Sequence, residues 1–426
     1  MRRLFLYMSF IILTGCATTT KTTDTPDQVY NRIEALFSDK DFFAARDLYK
    51  ASQSQLSEKQ QWLCEAKIDN VFNRLSQSNQ RIASLFSKYG NELGPAAKLQ
   101  LLGLRQTNCG KLFAYGEAWA AINDILENYN AQLSADERDD YANTRKIWGA
   151  LRGEPAQQVI IAESTKLQFT RDKVMLTNLK VKSGEAEENF VFDTGANLST
   201  VTKSTARTFG MRIMPDTQIE VGAITGIKVN AELAVCPSFN IGDIEVRNAV
   251  FLVFPDSALA FPQIGYQING IIGFPVIEAF GDFQITRKDE LIVNKTFITC
   301  TEQNLALDFL TPILQLDGDN YTFDSGARGT QLYHKYFRKH RQDISKRYNA
   351  TQLSYSGAGG TMTAPGYYVT FSPRINGVPV AVDSVQLFKE ATNTERAHFY
   401  GNIGQDLIGK FEKLHFNFRD MCLRFE

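Results

Sequence analysis

This chain of 426 residues has almost no excess of either charge and few histidines. The 46 lysines and arginines nearly balance the 47 aspartates and glutamates, so the net charge of −1 gives no electrostatic reason to expect nucleic acid as a partner. The four histidines all lie in the last third of the chain, without the spacing of metal ligands. We therefore expect solvated or half-buried histidines, and we predict no metal site, no cofactor and no serine–histidine dyad.

Cysteine is also sparse, and none of the six cysteines belongs to a C-x-x-C motif. Five remain once Cys16 is set aside, and an odd number cannot all pair within one chain. Cys64 and Cys109 both fall in a helical region and could form a bridge, whereas buried free thiols that pack as small hydrophobes are at least as good an interpretation. The sequence leaves the disulfide pairing open.

The N-terminal apolar run, from Leu4 to Thr14, follows two arginines and is too short to span a bilayer permanently. The stretch Leu13-Thr14-Gly15-Cys16 lies at its end and resembles a bacterial lipobox, in which cleavage before the cysteine leaves its thiol to carry lipid. We therefore predict a lipoprotein signal peptide over residues 1–16, with lipid on Cys16 that anchors the protein in a membrane. A plain secretory signal with a chance cysteine is the alternative.

The residues after this cysteine bear on the location of the protein. Because Ala17 is not aspartate, the lipobox resemblance favours the outer membrane if the cell has two membranes. The threonine-rich polar stretch that follows indicates a tether over residues 17–28. We expect a lipid-anchored protein of the bacterial cell envelope, either periplasmic or surface-exposed.

Apolar residues recur at helical spacing from about Gln28 to Gly153, which predicts a helical-hairpin domain over residues 29–153. The stretches 43–49 and 115–119 loosely resemble the second helices of tetratricopeptide-type hairpins. A stack of such hairpins offers a concave face for a peptide or a protein partner. A helical stalk or packing domain without a ligand is an equally good interpretation.

An internal repeat organises the rest of the chain, where the hydrophobic period changes to the two residues typical of strands. Residues 189–196 predict a hydrophobic strand that runs into an acid, a hydroxyl residue and a glycine, and residues 320–327 repeat this pattern 131 positions later. Gly270-Ile271-Ile272-Gly273 recurs as Gly401-Asn402-Ile403-Gly404 at the same offset. The interval from acid to glycine is therefore 80 residues in both copies.

Both copies resemble the lobe of an aspartic protease, with a hydrophobic strand, Asp-Thr/Ser-Gly-Ala, a glycine-tipped flap and a hydrophobic residue followed by glycine before a short helix. The alanine and the short flap resemble retropepsins, whereas two copies in one chain resemble the bilobal arrangement of pepsins. The resemblance covers roughly Val159 to Glu426. We predict an all-α helical-hairpin domain followed by an all-β bilobal aspartic protease fold, with retropepsin-like lobes over residues 154–300 and 301–426.

The resemblance implies that the chain is a membrane-anchored aspartic endopeptidase that hydrolyses extended polypeptide with water activated by Asp193 and Asp324. The family's hydroxyl residues bond across the lobes, and its glycines let the two loops approach closely. The corresponding supporting residues in this chain are Thr194, Gly195, Ser325 and Gly326.

Two flap tips would close over the bound peptide, one near Ile224 and Thr225 and the other near Tyr355 and Ser356. A flap tyrosine of the pepsin group contacts the catalytic centre, and Tyr355 is the candidate for that role. The resemblance implies that the peptide binds as a strand through main-chain hydrogen bonds.

Four positions depart from the family pattern. Retropepsins often carry aspartate after the alanine, whereas this chain has Asn197 and Arg328. An inward-pointing Arg328 would lower the apparent pKa of the acid pair, and an outward-pointing one could bond the other lobe. The hydroxyl residue that follows the motif in pepsins is displaced to Ser199 and Thr330.

A non-catalytic envelope lipoprotein is the alternative function, in which the protease fold and the helical domain bind a peptide or a partner without cutting. Retention of both acidic triplets favours the protease, because a pure binding protein has no need of two acids. We expect a monomer, because one chain already supplies both acids and a dimer is unnecessary.

Overall fold

The structure is a computed structural model, and it describes residues 24–215, 217–222, 228–357, 360–391 and 395–426. The predicted signal peptide, the lipid-bearing Cys16 and residues 17–23 of the tether lie outside the described residues. Within the ranges that the structure describes, no helix combines the length and the apolar character needed to cross a bilayer.

Seven α-helices form the described part of the N-terminal region. Three of them begin with a capping box, in which the N-cap side chain and the side chain of the third helical residue each accept a hydrogen bond from the other residue's backbone N–H. Their first residues are preceded by Thr25, Ser57 and Ser134. The helices are α1 (Pro26–Ser38), α2 (Phe42–Ser52), α3 (Glu58–Val71), α4 (Leu75–Tyr89), α5 (Pro95–Lys111), α6 (Tyr115–Asn128) and α7 (Ala135–Leu151).

The first protease-like copy is almost entirely β-structure. Its strands are β1 (Gln158–Ile160), β2 (Thr165–Gln168), β3 (Thr170–Arg171), β4 (Thr177–Ser183), β5 (Ala186–Phe192), β6 (Ser199–Thr202), β7 (Arg212–Ile213), β8 (Ile219–Gly222), β9 (Lys228–Ile241), β10 (Ile244–Phe254), β11 (Ala260–Phe261), β12 (Tyr266–Gln267), β13 (Gly270–Ile272), β14 (Asp282–Thr286) and β15 (Glu290–Val293). Two short helices accompany them, α8 (Lys203–Thr208) and α9 (Phe274–Glu278).

The second copy repeats this plan. Its strands are β16 (Leu305–Asp308), β17 (Thr311–Leu316), β18 (Asp319–Phe323), β19 (Gln331–Leu332), β20 (Thr351–Gly357), β21 (Gly360–Phe371), β22 (Arg374–Ile375), β23 (Val378–Pro379), β24 (Val382–Phe388), β25 (Gly401–Ile403), β26 (Lys413–Asn417) and β27 (Cys422–Phe425). Its helices are α10 (His334–Arg347) and α11 (Gln405–Ile408).

The sequence repeat is also a repeat of strand order. In the first copy the neighbouring strands run β6, β13, β5 and β4, and in the second they run β19, β25, β18 and β17. The strand that carries each acid is parallel to the strand that carries the second motif, with Phe192 opposite Ile272 and Phe323 opposite Ile403. The prediction of a helical N-terminal region followed by a β-rich region is thus confirmed.

A five-stranded sheet joins the two copies in the order β2, β15, β14, β26 and β27. Each copy closes with a hairpin, β14–β15 in the first and β26–β27 in the second, and the pairing of these two hairpins was not predicted. Strands β14 and β26 are antiparallel, and the buried rings of Phe283 and Phe416 stack with their centroids 4.7 Å apart. The two lobes therefore share one sheet with buried aromatic residues.

His415 corrects the expectation of solvated or half-buried histidines, because its side chain is fully buried in this shared sheet. Its Nε2 lies 2.9 Å from Oδ1 of Asp282 in β14, and Arg424 donates to its Nδ1 at 2.8 Å. Asp282 also accepts from Nδ2 of Asn294 and from the backbone N–H of Ile298. Burial acts to raise the pKa of Asp282, but these hydrogen bonds lower it overall. A buried polar pair thus links one strand of each lobe.

A disulfide between Cys300 and Cys422 closes a loop of 122 residues and ties the segment between the lobes to β27. The possible bridge between Cys64 and Cys109 is wrong, because both are buried free thiols, as is Cys236. The physical reason is that the two helical thiols pack into different hydrophobic cores.

The helical region packs against both lobes. On the second lobe, Nδ2 of Asn320 donates to Oδ1 of Asp41 at 3.0 Å. On the first lobe, an apolar cluster that includes Trp148 of α7 covers one face of β9 and β10. The buried side chain of Lys111 forms an ion pair with Glu278 of α9, with the charged atoms 3.1 Å apart. The helical region therefore makes polar contacts with both lobes and apolar contacts with the first.

Candidate active site

Each acidic residue of the repeat stands directly after a buried strand. The backbone N–H of Asp193 donates to the carbonyl of Ile272 at 3.1 Å, and that of Asp324 donates to the carbonyl of Ile403 at 3.0 Å. The second motif of each copy thus lies beside the acid-bearing loop and fixes the direction in which that loop leaves its strand.

Four hydrogen bonds lock the two acid-bearing loops together. The N–H of Thr194 donates to Oγ of Ser325 at 3.0 Å, and the N–H of Ser325 donates to Oγ1 of Thr194 at 2.9 Å. Each hydroxyl then donates to the opposite strand, Thr194 to the carbonyl of Phe323 and Ser325 to that of Phe192. Both side chains are buried, so water molecules cannot readily replace these hydrogen-bond partners.

The glycines of the two loops let the carboxyl groups converge. A Cβ atom added to Gly195 would lie 2.6 Å from Cγ of Asp324, and one added to Gly326 would overlap the carboxyl of Asp193. Each carboxyl therefore rests against the backbone of the opposite loop, at a position where only glycine leaves room.

Convergence of the two acids has an electrostatic consequence. Burial, followed by the charge of Asp324 and a hydrogen bond that protonated Asp193 donates to it, raises the pKa of Asp193 well above its ordinary value. The backbone N–H groups of Gly195 and Ala196 act in the opposite direction but do not outweigh these effects. Two carboxyls in such an arrangement favour the state in which they hold a single proton, and such a pair can act as acid and base together.

A second, outer pair of hydroxyl residues supports the same loops. Oγ of Ser199 accepts from the N–H of Gly273, and Oγ1 of Thr330 accepts from the N–H of Gly404, both at 3.1 Å. A Cβ on either glycine would collide with the backbone of the acid-bearing loop. Ser199 and Thr330 were noted in the sequence only as displaced hydroxyl residues, although their equal spacing in the repeat was a usable signal.

Two further residues near the acids were missed by sequence reasoning. Nδ2 of Asn402 lies 3.3 Å from Oδ2 of Asp324, and Nε2 of Gln405 donates to the carbonyl of Ser325 at 2.8 Å. The repeat contains a signal for both, because they break it: Ile271 and Phe274 occupy the corresponding positions of the first copy. A polar residue in only one copy of a repeat points to a task that the two copies do not share.

The predicted flap residues belong to two segments. Ile224 and Thr225 lie outside the described residues, and the backbone of Ser356 pairs with Thr361 of β21. Tyr355 lies in β20, and its ring packs edge-on against Phe388 with the centroids 5.3 Å apart. A contact of Tyr355 with the acids stays a prediction.

The two departures after the motif both face solvent. Asn197 and Arg328 are exposed, so Arg328 is not packed into the space between the acids.

Comparison with known proteins gives one finding for this site. Residues 178–276 match a family model described as aspartyl protease, a segment that runs from β4 into α9 and contains Asp193 and Gly273. No curated protein matches the chain. The β-rich region therefore contains an aspartyl protease domain, and a peptidase acting on polypeptide is the activity that this similarity supports.

The lock between the loops can be tested by replacing Thr194 with valine. Thr194→Val leaves the buried N–H of Ser325 without its acceptor, which we expect to lower the free energy of unfolding by about 1–3 kcal/mol. Urea denaturation measures this change, with the exposed Thr170→Val as a matched control that should stay within about 0.5 kcal/mol of the parent.

A double-mutant cycle with Ser325→Ala completes this test. The two substitutions should cost less together than the sum of the single costs, because each removes the other's partner. Strict additivity would mean that the two hydroxyls do not interact.

Proposed function

We propose that this protein is an aspartic endopeptidase in which Asp193 and Asp324 of one chain form the catalytic pair. One observation of the geometry carries the proposal. Each carboxyl rests against the glycine of the opposite loop, and the hydrogen bonds between Thr194 and Ser325 hold that arrangement. The match of residues 178–276 to the aspartyl protease family supports the same reaction class.

The chemistry follows from the shared proton. The ionised acid removes a proton from a water molecule between the carboxyls, and the oxygen of that water attacks the carbonyl carbon of the scissile peptide bond. The protonated acid gives its proton to the developing oxyanion, which yields a tetrahedral diol. When the diol collapses and the C–N bond breaks, the protonated acid gives its proton to the leaving amine and the ionised acid takes a proton from one diol hydroxyl, so one proton again remains on the two acids.

The finer parts of the proposal follow the resemblance to retropepsins. Two retropepsin-like lobes, over residues 154–300 and 301–426, would hold an extended peptide under flaps that include residues near Ile224 and Tyr355. The helical-hairpin domain over residues 29–153 would offer a face for a protein partner, and the protein would act as a monomer.

The lipobox extends the proposal to location. Cleavage before Cys16 and acylation of its thiol would anchor the enzyme in the bacterial envelope, with the outer membrane favoured by Ala17. The alternative, a non-catalytic binding lipoprotein, is not favoured, because both acids are retained and both converge on one point.

Peptide cleavage by the full-length protein tests the catalytic proposal. We expect hydrolysis of a mixed peptide library, and we expect Asp193→Asn and Asp324→Asn each to lower kcat/KM by about a thousandfold or more. Asp243→Asn removes an exposed carboxylate of the same chain and should leave activity unchanged. Equal activity of all four proteins would mean that another site cuts.

The pH profile of this cleavage has an expected direction. The pKa of Asp193 is raised, so the pair keeps its proton at pH values where a free aspartate, with a pKa of about 3.9, has lost it. Activity should therefore persist above that value and fall only when the shared proton is lost. A profile that declines from pH 3.9 upward, measured as kcat/KM, would contradict this expectation.

Replacement of Cys16 tests the anchor. In a bacterial host, we expect Cys16→Ala to abolish incorporation of labelled palmitate and to move the protein out of the membrane fraction. Cys236→Ala, which removes a buried free thiol instead, should keep both properties. Labelling that survives in Cys16→Ala would place the lipid elsewhere, and absence of labelling in the parent would show that the leader is a plain secretory signal.

A further inference from the structure

The two acids of the pair have different surroundings. Both receive backbone N–H groups from their own loops: Gly195 donates to Oδ1 of Asp193, and Gly326 and Ala327 donate to Oδ1 of Asp324 at 2.8 and 2.9 Å. Among the described residues, only Asp324 also has a side-chain donor on its other oxygen, and this donor is Nδ2 of Asn402. The two acids therefore differ in the side-chain donors to their Oδ2 atoms.

The amide of Asn402 is held in one orientation. Its side chain is buried in β25, and its Oδ1 accepts from the hydroxyl of Thr322 at 2.6 Å, in the adjacent position of the parallel strand β18. The NH2 group is thereby directed at Asp324. The reverse orientation would set an amide oxygen against a carboxylate oxygen, which is repulsive while Asp324 is ionised.

The corresponding position of the first copy cannot do the same. Ile271 stands there, 131 residues before Asn402, and its hydrocarbon side chain has no donor for Asp193. The neutral state of an acid needs no such donor, whereas the ionised state gains from each one. Asn402 in β25 therefore favours an ionised Asp324, whereas Ile271 in β13 suits a neutral Asp193.

We propose that Asn402 determines which acid carries the charge: Asp324 is the ionised member of the pair, and Asp193 holds the shared proton. The proposal rests on the proposed peptidase function. It makes Asp324 the base that activates water and Asp193 the acid that first protonates the carbonyl oxygen. Asn402 is a positioning residue in this scheme, since it acts through Asp324.

Several titratable and charged groups lie near the pair. Burial and then the neighbouring Asp324 raise the pKa of Asp193. Burial also raises the pKa of Tyr333, whose neutral hydroxyl lies beside Thr322 at the far end of the amide. The guanidinium of Arg396 lies 5.4 Å from the centre of the Tyr333 ring, and Arg328 in the loop of Asp324 is exposed.

Asn402→Leu tests the proposal, because leucine has nearly the shape of asparagine but no donor. Without the donor, the pair takes up its second proton at higher pH, so the acid limb of the kcat/KM profile should move upward by about one pH unit. At pH values below this limb, kcat/KM of Asn402→Leu should then be about tenfold lower than that of the parent. The alkaline limb should stay in place, because Asp324 is ionised both before and after the shared proton is lost.

Two companion variants separate this effect from simple damage. Ile271→Asn combined with Asn402→Leu moves the donor to the first lobe, and we expect the acid limb to return towards its original position. Thr322→Val frees the amide to rotate without touching Asp324, and it should shift the same limb in the same direction by a smaller amount. A general loss of activity with no movement of either limb in any of these variants would overturn the proposal.

Carboxyl NMR of the full-length protein, labelled with ¹³C at the aspartate side chains, decides the question without turnover. The signal that disappears in Asp193→Asn should be that of a protonated acid at the pH where the pair holds one proton, and the signal lost in Asp324→Asn should be that of an ionised acid. The reverse assignment overturns the role of Asn402. Absence of cleavage by the parent, with this titration intact, would count against the peptidase function alone.

Discussion

The hydrogen bonds between Thr194 and Ser325 are the interaction on which the rest of the site depends. They hold two loops, 131 residues apart in sequence, so close that each carboxyl lies against the opposite glycine. At that separation two negative charges oppose each other, and a single shared proton relieves the repulsion. The same constraint therefore explains the buried hydroxyls, the loss of side chains at Gly195 and Gly326, and the raised pKa of Asp193.

The remainder of the fold keeps two separate lobes in that register. A sheet with strands from both lobes lies under the acids, with the stacked rings of Phe283 and Phe416 and the buried Asp282–His415 pair at its centre. The disulfide from Cys300 adds a covalent tie, and the helices pack on both lobes. Both copies lie in one chain, which lets them differ, as Asn402 and Ile271 do.

The sequence predicted those features that repeat locally and missed those that depend on distant partners. The strands before Asp193 and Asp324 could be predicted because strand pattern, turn glycine and a fixed offset all agree. The burial of His415 could not, because its partner Asp282 lies 133 residues away in a strand whose pairing the sequence does not specify. The pairing of Cys300 with Cys422 was left open for the same reason. Asn402 is part of the second motif, but the role of a polar residue in a short strand depends on its neighbours in the fold.

The most direct test of the central claim, that one chain supplies both acids to one site, is complementation between inactive chains. Chains carrying Asp193→Asn would be mixed with chains carrying Asp324→Asn, taken through unfolding and refolding together, and assayed for peptide cleavage beside refolded parent protein. A site built within one chain predicts that the mixture stays as inactive as either variant alone, while the parent recovers. Recovery of activity in the mixture would mean that lobes from different chains pair, and it would contradict the account.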